Sequence, residues 1–80
     1  MDKDLAVLIL LACHRSAKAL AEIVPLVSEF GSEEDNQALR RPVGRSIHDI
    51  LENIAGYVAA RCPDAQAEFE ARHDKYGRMV

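Results

Sequence analysis

Eighty residues, 49% of them hydrophobic and 29% charged, make one domain with enough apolar material for a core and too much for a disordered chain. A formal net charge of −3 provides no molecule-wide positive field, which excludes nucleic-acid or acidic-lipid binding by bulk charge and leaves only a local patch for it. A domain of this length buries only ~60% of its unfolded surface, so its own core is marginal and association with another chain is a usual remedy.

The chain opens Met1-Asp2-Lys3-Asp4, with acids where a secretion signal carries a positive region. Its apolar run, Leu5 to Cys13, is nine residues long against the ~20 that a membrane span needs. Cys13 and Cys62 have no CxxC spacing, and without a secretory signal the expectation is a cytoplasmic protein with reduced thiols.

Every residue from Leu5 to Cys13 is hydrophobic, so a helix there lacks a polar face and must be surrounded. Through the first thirty residues two seams recur at steps of three and four. One is Leu10, Cys13, Ala17, Leu20, Val24 and Val27; the other is Leu5, Ile9, Ala12, Ser16, Ala19, Ile23, Leu26 and Phe30. Together they predict a helix over about 4–30 with an apolar arc wide enough for two neighbours, which is bundle behaviour rather than a two-stranded coiled coil. The outer column, from Asp4 through Arg15 and Lys18 to Glu29, is polar except at Leu8 and Leu11, with Val7 beside them. Burying Val7, Leu8 and Leu11 contributes roughly 1.5–3 kcal/mol each. Leu5, Val7, Leu8 and Leu11 are therefore the expected contacts with a second copy; the competing reading has a C-terminal segment of the same chain covering them.

Pro25 removes the bond to the Ala21 carbonyl and predicts a bend in this helix. Gly31 is expected to stop it in a left-handed conformation, with Ser32 capping the next helix and Glu33, Glu34 and Asp35 in its first turn. That helix is predicted over about 33–40, because Pro42 and Gly44 disfavour its continuation. Ser46 offers a new start, with Asp49 as a weak capping-box partner, for a helix over about 46–61 whose apolar side is Ile47, Ile50, Leu51, Ile54 and Val58, with Tyr57 beside it. The sequence leaves open whether 33–61 is one kinked rod or two helices. Pro63 starts a weak third helix over about 63–76, with Ala65, Phe69 and Tyr76 on one side, and Gly77 to Val80 should fray.

The constellations that could carry chemistry are sparse. Arg40, Arg41 and Arg45 cluster at the predicted break and could hold phosphates, though no recognition helix or stacking aromatics accompany them; the plainer reading has them capping the C-terminal end of the short helix and pairing with Glu33, Glu34 or Asp35. Glu70 and His73 have the Glu-x-x-His spacing of di-iron bundles, but an exposed i, i+3 pair explains it as well and no metal site is assigned. Cys13 and Cys62 would come level in an antiparallel hairpin, with packing as the simpler role. His48, Asp49 and Glu52 share a polar side that could serve acid–base work if a cleft covered it. Gly56 could admit another backbone at a helix crossing. No phosphate loop, nucleophile elbow or zinc motif occurs, and no cofactor is implied.

The sequence thus predicts an all-α protein, a single domain over 1–80, built as a helical hairpin with a short third helix and assembling as a homodimeric helix bundle. Its expected role is non-enzymatic: an interaction or regulatory module, self-associating as a homodimer or higher homo-oligomer, with a further protein partner on its polar faces. The alternatives are a dimeric nucleic-acid binder using the arginines and a metal-binding bundle.

Overall fold

A computed structural model describes the backbone of residues 1–76 and the side chains of residues 1–71; the fraying expected of Gly77–Val80 and the side chain of His73 lie outside the described residues. The described chain is entirely helical, without a strand. Helix α1 spans Lys3–Ala21 and begins where the Asp2 carboxylate accepts the Leu5 N–H at 3.0 Å. With Asp4 in its first turn and Lys18 in its last, the end charges complement the helix dipole. The helix is interrupted at Glu22, and α2 follows over Ile23–Phe30 with Pro25 in its first turn. The break falls one turn before the proline because Pro25 has no N–H for the Ala21 carbonyl.

Gly31 and Ser32 connect α2 to α3, Glu33–Asp49. The predicted cap is present in reciprocal form: the Asp35 N–H donates to Ser32 Oγ at 3.0 Å and the Ser32 N–H to Asp35 Oδ2 at 3.2 Å. Gly31 is extended, at φ −95° and ψ 170°, rather than left-handed. What requires glycine is closeness, since a Cβ there would lie 2.9 Å from the Val27 carbonyl oxygen and 3.0 Å from Val27 Cγ1.

The expected break between 40 and 46 is absent. Helix α3 runs through Pro42 and Gly44, and Ser46 is interior to it rather than a new cap. Proline at a helix interior costs ~3 kcal/mol and glycine ~1 kcal/mol. Against that, the buried Val43 contributes roughly 1.5–3 kcal/mol, joined by the half-buried Asn36 and Ile47 on the same side. Ala38 and Pro42 are both exposed, so the carbonyl that the proline leaves without a donor lies on a solvated stretch.

Residues Ile50–Ala55 then form a π-helical segment, closed by the Gly56 N–H donating to the Leu51 carbonyl five residues back. Helix α4, Gly56–Arg61, completes a continuous rod from 33 to 61, which settles the open question in favour of one rod. The wide turn also changes which side chains face inward. Ile47 and Ile50 are half-buried and Val58 is buried, but Leu51, Ile54 and Tyr57 are exposed instead of sharing their side.

After Cys62 the chain reverses into α5, Pro63–Tyr76, which packs against α1 and α4. The result is a hairpin of α1–α2 against the 33–61 rod, with α5 packed against α1 and α4. It is a slab of 44 × 25 × 14 Å with a radius of gyration of 14.9 Å, against about 12 Å for a compact chain of this length. The core is correspondingly thin: Ala6, Val7, Leu10, Val58 and Ala65 form its centre, with Ile9, Ala55, Cys62 and Phe69 packed against it.

Two glycine substitutions should move stability in opposite directions. Nothing lies within 4 Å of a Cβ built on Gly44, so Gly44→Ala should stabilise the chain by about 0.4–1 kcal/mol. Gly31→Ala, pressed against backbone at Val27, should destabilise it by about 1–3 kcal/mol. Thermal melts followed by circular dichroism distinguish the two.

Candidate interaction surface

Which side of α1 remains open follows from where α5 docks. Ala65 and Phe69 of α5 belong to the same cluster as Ala6, Val7 and Leu10. Lys3 Nζ reaches Glu68 Oε2 at 3.4 Å, and the His14 ring meets the Phe69 ring edge-on at 5.7 Å. The ion pair is solvated and worth ~0–1 kcal/mol, so apolar burial holds α5 in place.

This docking corrects the expected contact set. Val7 is only 7% exposed and belongs to the chain's own core, and Leu11 is half-buried. Leu8 stays 63% exposed and Leu5 50%. The first seam is buried as read, at Leu10 and Cys13, but much of the second is left facing water, at Leu5, Ala12, Ser16 and Ala19. Leu5, Leu8, Ala12 and Ala19 therefore make an uncovered strip along the outer side of α1, with Arg15 and Ser16 exposed among them and Asp4 and Lys18 at its flank. Further exposed apolar groups are Val24, Leu26 and Phe30 on α2, Leu39 on α3, and Leu51, Ile54 and Tyr57 on the rod beyond it. Tyr57 carries the Arg61 guanidinium 4.8 Å from its ring centroid, a cation–π contact that partly accounts for its position.

The arginine cluster sits mid-helix, so its members cap no helix end. Arg40, Arg41 and Arg45 are all exposed, and none forms an ion pair with Glu33, Glu34 or Asp35. Arg41 and Arg45 lie four apart on one face, with Arg40 about 100° around the helix from Arg41. Gln37, Ala38, Arg40, Arg41 and Pro42 line an open depression at the proline. Sequence reasoning missed the continuity of the helix here, and the signal was Val43, in step with Asn36 and Ile47 on one side.

The remaining candidates are not brought together. Asp49 accepts a hydrogen bond from Asn53 Nδ2, and His48 and Glu52 are exposed. The Glu70 carboxylate accepts from Gln66 Nε2 at 2.8 Å. Among the described residues, no group of three or more His, Cys, Asp or Glu gathers as metal ligands would. Among the described residues Gly56 has only its own helix nearby, with the Leu51 oxygen 3.5 Å from where a Cβ would lie, so no second described backbone crosses there. No helix among the described residues is long and apolar enough to cross a membrane.

Cys13 and Cys62 are free, the first buried and the second half-buried. Burial pushes the Cys13 thiol above its ordinary pKa of 9.0, because a thiolate would have to form away from water. At pH 7.5 the folded protein should be alkylated by iodoacetamide at Cys62 well before Cys13, as peptide mass mapping would reveal. The lag at Cys13 should persist at pH 9, where an ordinary thiol is already half ionised, and disappear when the chain unfolds. No protein-family model matches the chain, and comparison with curated proteins and with solved structures returns no similar protein.

Proposed function

We propose that this chain is a small non-enzymatic interaction module that self-associates through the uncovered side of α1. The observation that carries the reading is the exposure of Leu5 and Leu8 on a helix whose opposite side is already fully engaged. Covering what remains exposed of them contributes about 1–2 kcal/mol each, a large share of what a thin core supplies. The surface area supports it as well. The chain exposes 5803 Å², a surplus of about 1,000 Å² over the roughly 4,800 Å² of a compact monomer of its mass. A reduced, cytoplasmic setting suits the free thiols, and the polar faces of the rod remain for a further protein partner.

Light scattering coupled to gel filtration tests the reading. Wild type should elute as a dimer or larger species, and the Leu5→Glu/Leu8→Glu variant should shift to monomer or lose helicity on dilution. A wild type that stays a folded monomer across micromolar to millimolar concentration sinks it.

A second reading, a dimeric nucleic-acid binder, is favoured by one observation: three exposed arginines within six residues, none of them engaged in an ion pair within the described chain. Arginine is suited to phosphate through its forked donors, and a dimer doubles the charge. On this reading Arg40→Ala/Arg41→Ala/Arg45→Ala abolishes retention on heparin at low salt, whereas retention unchanged from wild type removes the arginines from any such role.

A further inference from the structure

Resting on the self-association just proposed, we infer that the second copy lies antiparallel along α1, about a two-fold axis at Leu11 that sets Asp4 of each copy against Lys18 of the other. Asp4, Leu11 and Lys18 are spaced seven residues apart, so they fall nearly on one line along one edge of the uncovered strip. At 1.5 Å per residue, Asp4 and Lys18 stand about 10.5 Å on either side of Leu11. A two-fold through Leu11 therefore superposes acid on base twice in one interface.

Direction follows from charge and from shape. A two-fold perpendicular to the helices lays one edge of α1 on the same edge of its copy in reverse order, and both ends are then attractive. A parallel pair would set Asp4 against Asp4 and Lys18 against Lys18. Within the described chain neither Asp4 nor Lys18 has an ion-pair or hydrogen-bond partner, and both are exposed. The large apolar groups, Leu5 and Leu8, occupy the first half of the strip, and the small ones, Ala12 and Ala19, the second. Antiparallel pairing about Leu11 brings Leu5 and Leu8 within two residues, about 3 Å along the axis, of the level of the partner copy's alanines, whereas parallel pairing stacks leucine on leucine and leaves the alanines facing across a gap.

The groove between α1 and α5 adds room on that edge. It is lined by Asp4, Val7, Leu8 and Glu68, so an incoming side chain finds an apolar floor at Val7. A second α1 beside the first, with the two α5 helices alongside, closes a four-helix arrangement. The surplus surface of about 1,000 Å² is of the order of the ~800 Å² that each partner buries in a standard interface.

Charge exchange at the two ends is the test, read by sedimentation equilibrium at low salt. Asp4→Lys should weaken the wild-type dimer about tenfold, and Lys18→Asp likewise, because each converts two attractions into two repulsions. Combining both substitutions in one chain should restore the dimer. That recovery cannot come from the monomer, since each change opposes the dipole of α1 and thermal melts of the monomeric fraction will follow that cost separately. Loss of the effect in 0.5 M salt would mark it as electrostatic. A wild-type dimer that Leu5→Glu/Leu8→Glu dissociates but Asp4→Lys leaves unchanged overturns the antiparallel pairing while leaving self-association intact. A monomeric wild type overturns both.

Discussion

The contact between α5 and α1 governs what the rest of the molecule presents. Because Ala65 and Phe69 settle against Ala6, Val7 and Leu10, the last helix takes the edge of α1 that carries Val7 and leaves the edge that carries Leu5 open. Had α5 docked one helical residue further round, it would have covered Leu8 and uncovered Val7. The choice is made by size and shape, since the two most deeply buried residues at this junction are alanines, Ala6 and Ala65, each at 0% exposure. Charge contributes little there: Lys3 and Glu68 remain half in water, and their attraction is correspondingly weak.

Much of this was legible in the sequence, and what was not has a physical reason. The stop at Gly31 and the cap at Ser32 follow from local chemistry that acts within four residues, although the reciprocal bond from the Ser32 N–H to Asp35 is seen only in the structure. The 33–61 rod reads as broken because Pro42 and Gly44 are strong local breakers, whereas the burial of Val43 that works against them, with Ile47 half-buried on the same side, is a long-range event. The π segment was invisible to a reading based on 3.6 residues per turn: its extra width turns Leu51 and Ile54 outward, though both keep step with the core side of a regular helix. At the candidate surface, an all-apolar run from Leu5 to Cys13 states that neighbours are needed and not which neighbour takes which side. Only the docking of α5 divides the run into a covered part, with Val7, and an open part, with Leu5 and Leu8.

The arginines illustrate the same limit from the polar side. Their spacing suggests helix-end capping or pairing with the acids of the first turn of α3, and both roles disappear once the helix is continuous, because no helix end falls there and Arg41 and Arg45 run on along the same helix, six and ten residues beyond Asp35. What remains is a solvated cationic stretch on a chain of net charge −3, beside an exposed proline. Its chemistry is local, and it stands on a different element from the apolar strip of α1, so the two surfaces are open to separate use.

The two buried alanines have a mechanical consequence. Helix axes approach to 8–10 Å according to the bulk between them, and the cluster at this junction holds two small side chains, Ala6 and Ala65, with no exposure left to either. They act as a gauge block: a thicker spacer at either position would lift the whole of α5 as a lever rather than deform one spot, because stiff helices transmit displacement along their length. Val7 would then be wetted together with Leu8, and the greasy margin of the first helix would widen in a single step.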